Sequence, residues 1–507
     1  MNKNKISFFN VLFVAILSLI VVTGCFIRTY AWLHGNSLFV DEGALLANIA
    51  ERPFLQLFLP LDTAQCCPPV FLITGKLLYS LYGADKVILR FFPYLFSLIS
   101  FLLFIILAFK IIKNRFGIIA SSLMFGFSEW CILQQMYFKQ YIEDAFFSII
   151  VLLIILFLKD KKLSKTELFF WGLLSVFLVF CSYTAGFIIA CGIVVFCIKN
   201  MAENRKNNLP LTDFASLMCY LIPFGLILSV YFVINCLPAI KNDDLQNFWD
   251  NIFYFVPKNS EQIKELIHFF VSPFGRIYPS LILFVLSFVL LVKNNKFICS
   301  VLYLPFVLAV VFGSLKFYPL CPERICLYLI PFFILIIFAP VGFISAKNKL
   351  LSAFILMLTL SNLNFSKIIL YTSEIFSGNS SKIVNLYKDR YKREKVTLSE
   401  ELIEMLYHSD IKEDDYIVRD YTSSYFFDIY DYQKKFRLTH IVWDQYGNFD
   451  DLNSIPPNKN IYFYISEEYH FDYKELKNWI NQNCEVIYNI KCFNGEFIKC
   501  KRKTVTQ

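Results

Sequence analysis

The stretch FFNVLFVAILSLIVVTGCFI, from Phe8 to Ile27, is a predominantly apolar run that is long enough to cross a lipid bilayer. The sequence Arg28-Thr29-Tyr30 follows it, and the adjacent acids Asp41-Glu42 lie a short loop further on. Two neighbouring carboxylates just outside a membrane span are costly to hold near lipid, and they usually serve a function. Helix capping is the alternative, because acids also favour the N-terminus of a helix such as Gly43–Glu51.

The composition of the 507-residue chain is that of a protein with many membrane spans. Hydrophobic residues make up 57% of it and charged residues only 17%, which excludes an ordinary soluble domain. Phe is unusually frequent, at 57 residues, as expected for lipid-facing and interfacial packing. The net charge of +8 does not indicate nucleic-acid binding, because much of the basic charge lies in short connectors between apolar runs.

The N-terminal segment has two interpretations. Lys3 and Lys5, an apolar run and the sequence VTGC ending at Cys25 are compatible with a secretory signal that ends at a lipidated cysteine. The segment Phe26–Tyr30 instead continues the helix and supplies an Arg-Tyr anchor at the membrane interface. We therefore favour a retained first span.

The fifteen cysteines are scattered and form no pair at the spacing of a zinc site. Most of them lie inside apolar runs, where cysteine behaves as a small hydrophobic residue. The neighbours Cys66 and Cys67 could form a strained disulfide or pack as two thiols. The sequence also allows, but does not require, a disulfide within the C-terminal set Cys484, Cys492 and Cys500.

Eleven apolar segments are separated by polar connectors, which predicts a polytopic helical protein. The break at Ser182–Gly186 divides two of the shorter segments. The segment Pro69–Tyr82 is too short to cross comfortably, so a re-entrant or interfacial helix is expected there. The predicted spans are residues 8–28, 87–109, 116–134, 142–158, 167–181, 184–198, 212–236, 278–292, 297–315, 325–345 and 349–371.

The basic residues of the connectors predict the orientation. Every even-numbered break carries a basic cluster, whereas the short connectors on the other side carry far fewer, in agreement with the positive-inside rule. The N-terminus is then cytoplasmic, and the loop 30–86, the segment 238–277 and the tail are extracytoplasmic. Lysine-rich connectors without an organellar signal favour a bacterial plasma membrane. The clusters are Lys110, Lys113 and Arg115; Lys159, Lys161, Lys162 and Lys165; Lys199, Arg205 and Lys206; Lys293 and Lys296; Lys347 and Lys349.

The composition changes abruptly near residue 373, which divides the chain into a membrane domain, 1–372, and a C-terminal domain, 373–507. Strands alternate with helices in the second part, which predicts a small α/β domain outside the membrane. It has no glycine-rich phosphate loop and no nucleophile elbow. Helices are expected at Leu398–His408, Ser424–Lys434 and Tyr473–Gln482, strands at Tyr416–Arg419, Ile441–Asp444 and Ile461–Ile465, and a hairpin at Glu485–Lys501 around Asn494-Gly495.

Short motifs occur in a fixed order along residues 1–345. They are Arg28-Thr29-Tyr30, Asp41-Glu42, Gln65, Pro68-Pro69-Val70-Phe71, Lys76, Leu89-Arg90-Phe91-Phe92-Pro93, Phe138–Asp144 and Glu323-Arg324 before a Pro-containing apolar run. In this order they resemble the GT-C membrane glycosyltransferases, specifically the glycosyltransferase family 39-like group of protein O-mannosyltransferases and lipid A aminoarabinose transferases. One departure is Met136-Tyr137, where relatives often have Gln-Glu, so no acidic ligand is expected from those two positions.

The resemblance implies an α-helical polytopic membrane protein of the GT-C type, with about eleven or more transmembrane helices and a small C-terminal extracytoplasmic α/β domain. It also implies an integral membrane glycosyltransferase that moves a hexosyl or pentosyl group from a polyprenyl-phosphate donor to an acceptor at the outer face. The acceptor is a lipid, a glycan or a protein of the cell envelope. Direct displacement at the anomeric carbon would invert its configuration.

Three carboxylates receive roles from this resemblance. Asp41 is the base that takes the proton of the acceptor, a role that a carboxylate can fill. Glu42 orients the site or caps its helix. Asp144 is the second acid, unless it serves only as the N-terminal charge of its helix. The same three side chains could give hard oxygen ligands to a divalent ion, but their spacing is not diagnostic, and a metal requirement stays open.

Fixed cations are expected at the leaving lipid phosphate, because it gains negative charge as the bond to the sugar breaks. The phosphate-binding and supporting residues that the resemblance provides are Lys139, Arg324, Lys76, Arg90, Gln65 and Tyr141. Structural alternatives exist for the cations. Lys139 could be a charge of an outer loop, Arg324 could pair with Glu323, and Arg90 could be an interfacial anchor.

Two other classes of membrane protein are alternatives to a glycosyltransferase. A flippase or transporter of lipid-linked sugars usually has repeat-related halves and polar residues at mid-membrane depth. The sequence shows no such halves, and its candidate residues lie at the rims of the spans. An O-antigen polymerase or ligase carries its large outer loop late among the spans, whereas the loop 30–86 follows the first span directly.

Overall fold

The protein forms two compact units in a computed structural model. Unit 1 consists of Met1–Leu33, Leu55–Ile73 and Arg90–Ile383, and unit 2 consists of His34–Phe54, Thr74–Leu89 and Val384–Gln507. The structure describes residues 8–33, 38, 40–62, 65–206, 214–251, 254–271, 275–322, 324–344, 348–363, 415–420, 439–443, 449–466, 473–492 and 495–504.

The regular secondary-structure elements in the described membrane part of the chain are all helices. The α-helices up to residue 362, in chain order, are α1 (Phe8–Leu33), α2 (Val40–Glu51), α3 (Pro69–Tyr82), α4 (Lys86–Leu89), α5 (Phe91–Ile111), α6 (Arg115–Gly126), α7 (Glu129–Gln134), α8 (Tyr141–Leu158), α9 (Lys165–Cys181), α10 (Tyr183–Lys206), α11 (Phe214–Tyr231), α12 (Leu237–Ile240), α13 (Asp243–Asn251), α14 (Ser260–Val271), α15 (Ile277–Asn294), α16 (Lys296–Ser314), α17 (Ile330–Phe338) and α18 (Lys349–Asn362).

Seven helical segments among the described residues are long and apolar enough to cross a membrane, which makes the chain a multi-pass membrane protein. They are Phe8–Leu33, Lys86–Ile111, Tyr141–Leu158, Tyr183–Glu203, Met218–Ile240, Ile277–Asn294 and Lys296–Ser314. The other four predicted spans coincide with the shorter helices α6, α9, α17 and α18. The count of eleven therefore stays a prediction.

Two of the predicted spans are interrupted. The segment 116–134 is not one helix, because the chain leaves the helical conformation at Phe127 and Ser128 between α6 and α7. The segment 325–345 consists of α17 flanked by the 3₁₀ turns Leu327–Leu329 and Ala339–Phe343. A proline stands near the start of α17 and of the following turn, where its missing N–H costs no helical hydrogen bond.

Side-chain caps begin several helices directly after the basic connectors. The Asn114 side chain accepts a hydrogen bond from the backbone N–H of Phe116 at 3.0 Å, and Asn295 and Asn348 cap α16 and α18 in the same way. Ser164 and Glu167 form a reciprocal capping box at the start of α9. These caps supply acceptors to N–H groups that the helix itself leaves unpaired.

The side chain of Arg28 is fully buried and joins α1, α5 and α6. It donates to the carbonyls of Phe125 and Gly126 at the C-terminal end of α6 and to the hydroxyl of Ser97 on α5. Its guanidinium also lies over the ring of Phe101, 4.9 Å from the centroid. The helix continues through Arg28 as predicted, but the interfacial anchor was wrong for this residue, since the carbonyls of a helix end attract the cation inward.

Replacing Arg28 by Met is expected to lower the free energy of unfolding by about 2–5 kcal/mol, because buried carbonyl groups would lose their donors. The measurement is the melting temperature of the detergent-solubilised protein. Arg115→Met is the matched control, since Arg115 is exposed and its guanidinium carbon lies 5.7 Å from the centroid of the Phe13 ring, in cation–π geometry. Equal melting temperatures for the two variants would contradict this role of Arg28.

The C-terminal part of unit 2 contains a five-stranded mixed sheet. Its strands are β1 (Tyr416–Asp420), β2 (Thr439–Trp443), β3 (Asn460–Ser466), β4 (Cys484–Cys492) and β5 (Gly495–Arg502), and two helices accompany them, α19 (Phe449–Ser454) and α20 (Lys474–Asn483). The order across the sheet is β2-β1-β3-β5-β4. Strand β1 is parallel to β2 and β3, whereas β5 is antiparallel to β3 and β4.

Alternation along β3 separates the two faces of this sheet. Ile461, Phe463 and Ile465 point into a core that includes Leu452 of α19 and Trp479 of α20. The indole N–H of Trp479 donates to the side chain of Asn453 at 3.0 Å and so joins the two helices. The predicted α/β character of the tail is confirmed by this arrangement.

Most element predictions for the tail agree with the structure. The strands near 416, 441 and 461, the helix near 473 and the terminal hairpin are present within a few residues, while α19 was not predicted. The predicted helices Leu398–His408 and Ser424–Lys434 and the domain boundary at 372/373 lie outside the described residues. Cys484 and Cys500 are free thiols that lie in the same core.

Candidate active site

Four polar side chains gather where α8 begins, and we call Lys139, Tyr141, Glu143 and Asp144 the α8 cluster. All four are buried, with the two carboxyl residues each 3% exposed. Both acids lie in the first turn of α8, where the helix dipole favours negative charge. The rest of the helix is apolar enough to span a membrane. The cluster therefore concentrates charge at one end of a membrane helix.

The ammonium group of Lys139 is held by the loop that precedes α3. Its Nζ donates to Oε1 of Gln65 at 2.6 Å, and Lys139 itself is only 5% exposed. The next residue, Gln140, donates to the carbonyl of Cys66 at 3.1 Å and accepts from the thiol of Cys67 at 3.4 Å. Lys139 and Gln65, which were predicted separately as site residues, are thus brought together across 74 positions of sequence. Two hydrogen-bonded neighbours make this arrangement rigid.

Asp144 is hydrogen-bonded at the break between α9 and α10. Its Oδ1 accepts a hydrogen bond from the hydroxyl of Ser182, and the hydroxyl of Thr184 lies 3.0 Å from that of Ser182. The chain is extended at Ser182, so α9 ends at Cys181 and α10 begins at Tyr183. The break predicted at Ser182–Gly186 is therefore present, but it is limited to Ser182, whose hydroxyl group binds Asp144.

Glu143 differs from its neighbour in its hydrogen bonding. Its Oε1 atom is buried and has no hydrogen-bond partner among the described residues. A buried carboxyl oxygen without a partner is unfavourable, and such groups in folded proteins usually await a ligand or take part in chemistry. Of the two neighbouring carboxyl groups, Glu143 is therefore the one with fewer hydrogen bonds.

Ser182→Ala is expected to lower the free energy of unfolding by about 1–3 kcal/mol, because it removes a donor from a buried carboxyl group. Ser122→Ala is the matched control, since Ser122 is equally buried but its hydroxyl has no hydrogen-bond partner among the described residues. Thermal unfolding in detergent measures both variants. A Ser182 variant as stable as the Ser122 variant would show that the bond to Asp144 contributes nothing to stability.

Tyr141 and Arg324 are also brought together in unit 1. The guanidinium carbon of Arg324 lies over the ring of Tyr141, 5.7 Å from its centroid, in cation–π geometry. Arg324 is half-buried, while Arg90 is almost fully buried and directly precedes α5. Glu323, the alternative partner of Arg324, lies outside the described residues. Arg324 is therefore attached to the α8 cluster through Tyr141.

The neighbouring thiols Cys66 and Cys67 are free and lie against the same cluster. Burial raises the pKa of Cys66 to about 12. Burial also raises the pKa of Cys67, although the nearby charge of Lys139 opposes the shift. Both side chains are consequently protonated at neutral pH, which makes them poor nucleophiles. Of the two states considered from the sequence, the structure has the packed thiols.

Asp41, Glu42 and Lys76 belong to unit 2. Asp41 is half-buried and Glu42 fully buried in the first turn of α2, which begins at Val40, so the helix contains both acids. The Nζ atom of Lys76 donates to the carbonyls of Ile49 at 2.8 Å and Ala50 at 3.0 Å near the C-terminus of α2. Burial lowers the pKa of Lys76. Its bonds to carbonyls give Lys76 a structural role in holding α2.

The predicted site residues thus fall into two sets. Unit 1 brings together Gln65, Lys139, Tyr141, Asp144 and Arg324, and a shared cleft between this set and Asp41 stays a prediction. No group of three or more His, Cys, Asp or Glu side chains suited to a metal ion occurs in the described part of the chain. The partner Ser182 was missed, although the polar residues Ser182, Tyr183 and Thr184 at the junction of two apolar helices were a usable signal.

Comparison of the fold with solved structures identifies the architecture. The chain is similar to ArnT from Cupriavidus metallidurans bound to undecaprenyl phosphate, with a TM-score of 0.51 and 10% identity, over 96% of this chain and 97% of that one. The apo state of the same protein gives a TM-score of 0.51 and 11% identity, with the same coverage. An oligosaccharyltransferase from Archaeoglobus fulgidus aligns with a TM-score of 0.41 and 12% identity, over 84% of this chain and 64% of that one.

The chain therefore shares the fold of ArnT and has a small C-terminal α/β domain, in agreement with the type of fold that the sequence motifs predicted. No protein-family model matches the sequence, and no curated protein matches it.

Proposed function

We propose that the protein is an integral membrane glycosyltransferase that moves a sugar from a polyprenyl phosphate to an acceptor at the outer face of the membrane. The observation that carries this proposal is the α8 cluster. An ammonium group and two carboxyl groups are buried at the beginning of a membrane helix, where charged side chains are costly and commonly mark a functional site. The acceptor is a lipid, a glycan or a protein of the cell envelope.

The proposed reaction is a single displacement. An oxygen of the acceptor attacks the anomeric carbon, the bond from that carbon to the phosphate oxygen breaks, and the lipid phosphate leaves with the electron pair. The carboxylate of Asp41 takes the proton of the acceptor. Because attack and departure occur on opposite sides of the carbon, the configuration at the anomeric centre inverts.

Lys139 and Arg324 are the cations that we assign to the leaving phosphate. A unit charge about 4 Å from another interacts with it by roughly 4 kcal/mol at an effective dielectric constant near 20. The amide of Gln65 fixes the ammonium group, and the ring of Tyr141 supports the guanidinium group. Cations held in this way need little reorganisation as charge develops on the phosphate, and this is the usual source of electrostatic catalysis.

The shared fold supports a lipid-linked donor. The structure of ArnT that resembles this chain holds undecaprenyl phosphate, which is a lipid phosphate of the kind that our reaction releases. We place the N-terminus in the cytoplasm and the C-terminal domain outside, as the basic connectors predict. The site then lies at the extracytoplasmic end of α8 in a plasma membrane.

Mass analysis of cell-envelope glycans and glycolipids, with and without the protein, tests the proposal. Loss of one sugar from one acceptor is expected in cells without the protein, and restoration by the wild-type chain is the control. A flippase is distinguished by reconstitution in vesicles, where transfer of the sugar and movement of the donor across the bilayer are measured separately. Movement of the donor without transfer would overturn the proposal in favour of a transporter.

A further inference from the structure

A cavity of about 160 Å³ lies in unit 1 beside the α8 cluster. We call it the amide cavity, because three carboxamide side chains line it together with thiols and apolar groups. Its volume is about half that of the smallest pockets that hold drug-sized ligands, roughly 300 Å³, so it suits a single sugar ring. Its lining residues are Pro60, Leu61, Gln65, Cys66, Cys67, Asn235, Pro238, Ala239, Asn242 and Leu245.

All ten lining side chains are uncharged. The amides of Gln65, Asn235 and Asn242 each combine donors with an acceptor, and a sugar hydroxyl likewise both donates and accepts. Proline and leucine side chains supply the apolar surface that the C–H groups of a sugar ring contact. Glu143 and Asp144 are not part of this wall. The chemistry of the cavity therefore matches a neutral, hydroxyl-rich ligand.

The amides are fixed before any ligand binds. Asn235 lies in the π-helical turn Phe232–Cys236, and its Nδ2 donates to the carbonyl of Phe58 at 2.9 Å. Such turns inside membrane helices frequently mark functional sites. Asn242 accepts a hydrogen bond from the backbone N–H of Leu245 at 2.9 Å and so caps α13. These hydrogen bonds fix the orientation of both amide side chains at the wall of the cavity.

Gln65 connects the amide cavity to Lys139, one of the cations assigned to the leaving phosphate. It lines the cavity, and its Oε1 accepts the hydrogen bond from Lys139 at 2.6 Å. A ligand that places a neutral ring in the cavity can therefore place an attached phosphate beside Lys139. This is the order of groups in a polyprenyl phosphate sugar.

We propose that the amide cavity binds the ring of the transferred sugar and that this sugar is uncharged, without an amino or a carboxyl group. The inference rests on the proposed function and adds the class of sugar to it. An ammonium or carboxylate group that is moved from water to this wall loses hydration and meets no charged side chain in the lining, and that loss is large. A neutral hexose or pentose gives up only hydrogen bonds, and the three amides can replace part of them.

The first test compares donors with the full-length protein in vesicles. The probes are undecaprenyl phosphate esters of glucose, mannose, aminoarabinose and glucuronic acid, and the acceptor is the envelope fraction of cells that lack the protein. A neutral donor is expected to be used at least tenfold more efficiently than either charged donor. Equal or better use of a charged donor would overturn the inference and leave the proposed function intact. Transfer from none of the four would overturn both.

Asn242→Asp provides the second test. The carboxylate keeps the cap of α13, because it accepts the same hydrogen bond, but it places a negative charge in the wall of the cavity. The ratio of aminoarabinose transfer to neutral-sugar transfer is expected to rise about tenfold. Asn259→Asp is the matched control, since Asn259 caps α14 through the N–H of Gln262 at 2.9 Å and does not line the cavity. An equal ratio in the two variants would overturn the assignment of the cavity.

Discussion

Asp41→Asn is expected to reduce the rate of sugar transfer by about 10²–10⁴-fold, which is the usual contribution of a general base. The amide cannot take the proton of the acceptor, whereas its size and its position in the first turn of α2 are unchanged. Binding of the donor should change much less than the maximal rate, because the proton is transferred only during the reaction. Initial rates over a range of donor concentrations separate these two effects.

Glu51→Gln is the matched control for this variant. Glu51 is an exposed carboxylate at the other end of the same helix, so the change removes the same charge without touching the proposed base. Its rate should stay within about twofold of the wild-type rate, since surface substitutions seldom have large effects. Full activity of Asp41→Asn in a correctly inserted protein would eliminate Asp41 as the base.

Lys139→Met is expected to reduce the rate of sugar transfer by about 10²–10³-fold, the second large effect. Methionine keeps most of the apolar stem and removes the ammonium group that Gln65 holds at 2.6 Å. Because negative charge on the phosphate grows as the bond to the sugar breaks, the loss should be larger for the maximal rate than for donor binding. Lys139→Arg keeps the charge and should recover part of the rate.

The control for the lysine variants is Lys316→Met. Lys316 is an exposed lysine that pairs with Asp250, and neither residue is assigned to the site. An exposed ion pair is worth little, about 0–1 kcal/mol, so stability and rate should both be nearly unchanged. A similar loss of activity in the Lys316 and Lys139 variants would show that the effect of Lys139 is not specific.

The sequence predicts the fold class more completely than it predicts the functional site. Long apolar runs, basic connectors and the alternation in the tail each depend on local sequence, so the membrane helices and the C-terminal sheet could be predicted. The order of the motifs predicted the same type of fold that the comparison with ArnT shows. The interruptions at Ser128 and in the 325–345 segment were missed, because hydropathy alone does not register a break between two apolar helices.

The sequence predicted site residues but not their contacts, because contacts between distant residues depend on tertiary packing. Lys139 and Gln65 were named separately, but a contact between residues 74 positions apart depends on how the helices pack. Glu143 and Asp144 have the same charge and neighbouring positions, yet only tertiary structure decides that Ser182 binds one of them. The burial of Arg28 is another such case, since its partners on α5 and α6 lie about 70 and 100 positions further along the chain.

The position of Arg28 has a consequence for biogenesis. Its hydrogen-bond acceptors on α5 and α6 are synthesised long after the first span, and a lone arginine within lipid costs about 2.5–3.5 kcal/mol even by insertion scales. Arg28 lies in the last third of α1, after the apolar run that ends at Ile27, so the nascent first helix can insert while the guanidinium group still reaches the aqueous interface. Burial of Arg28 then has to wait until Gly126 has been synthesised and α6 packs against α1.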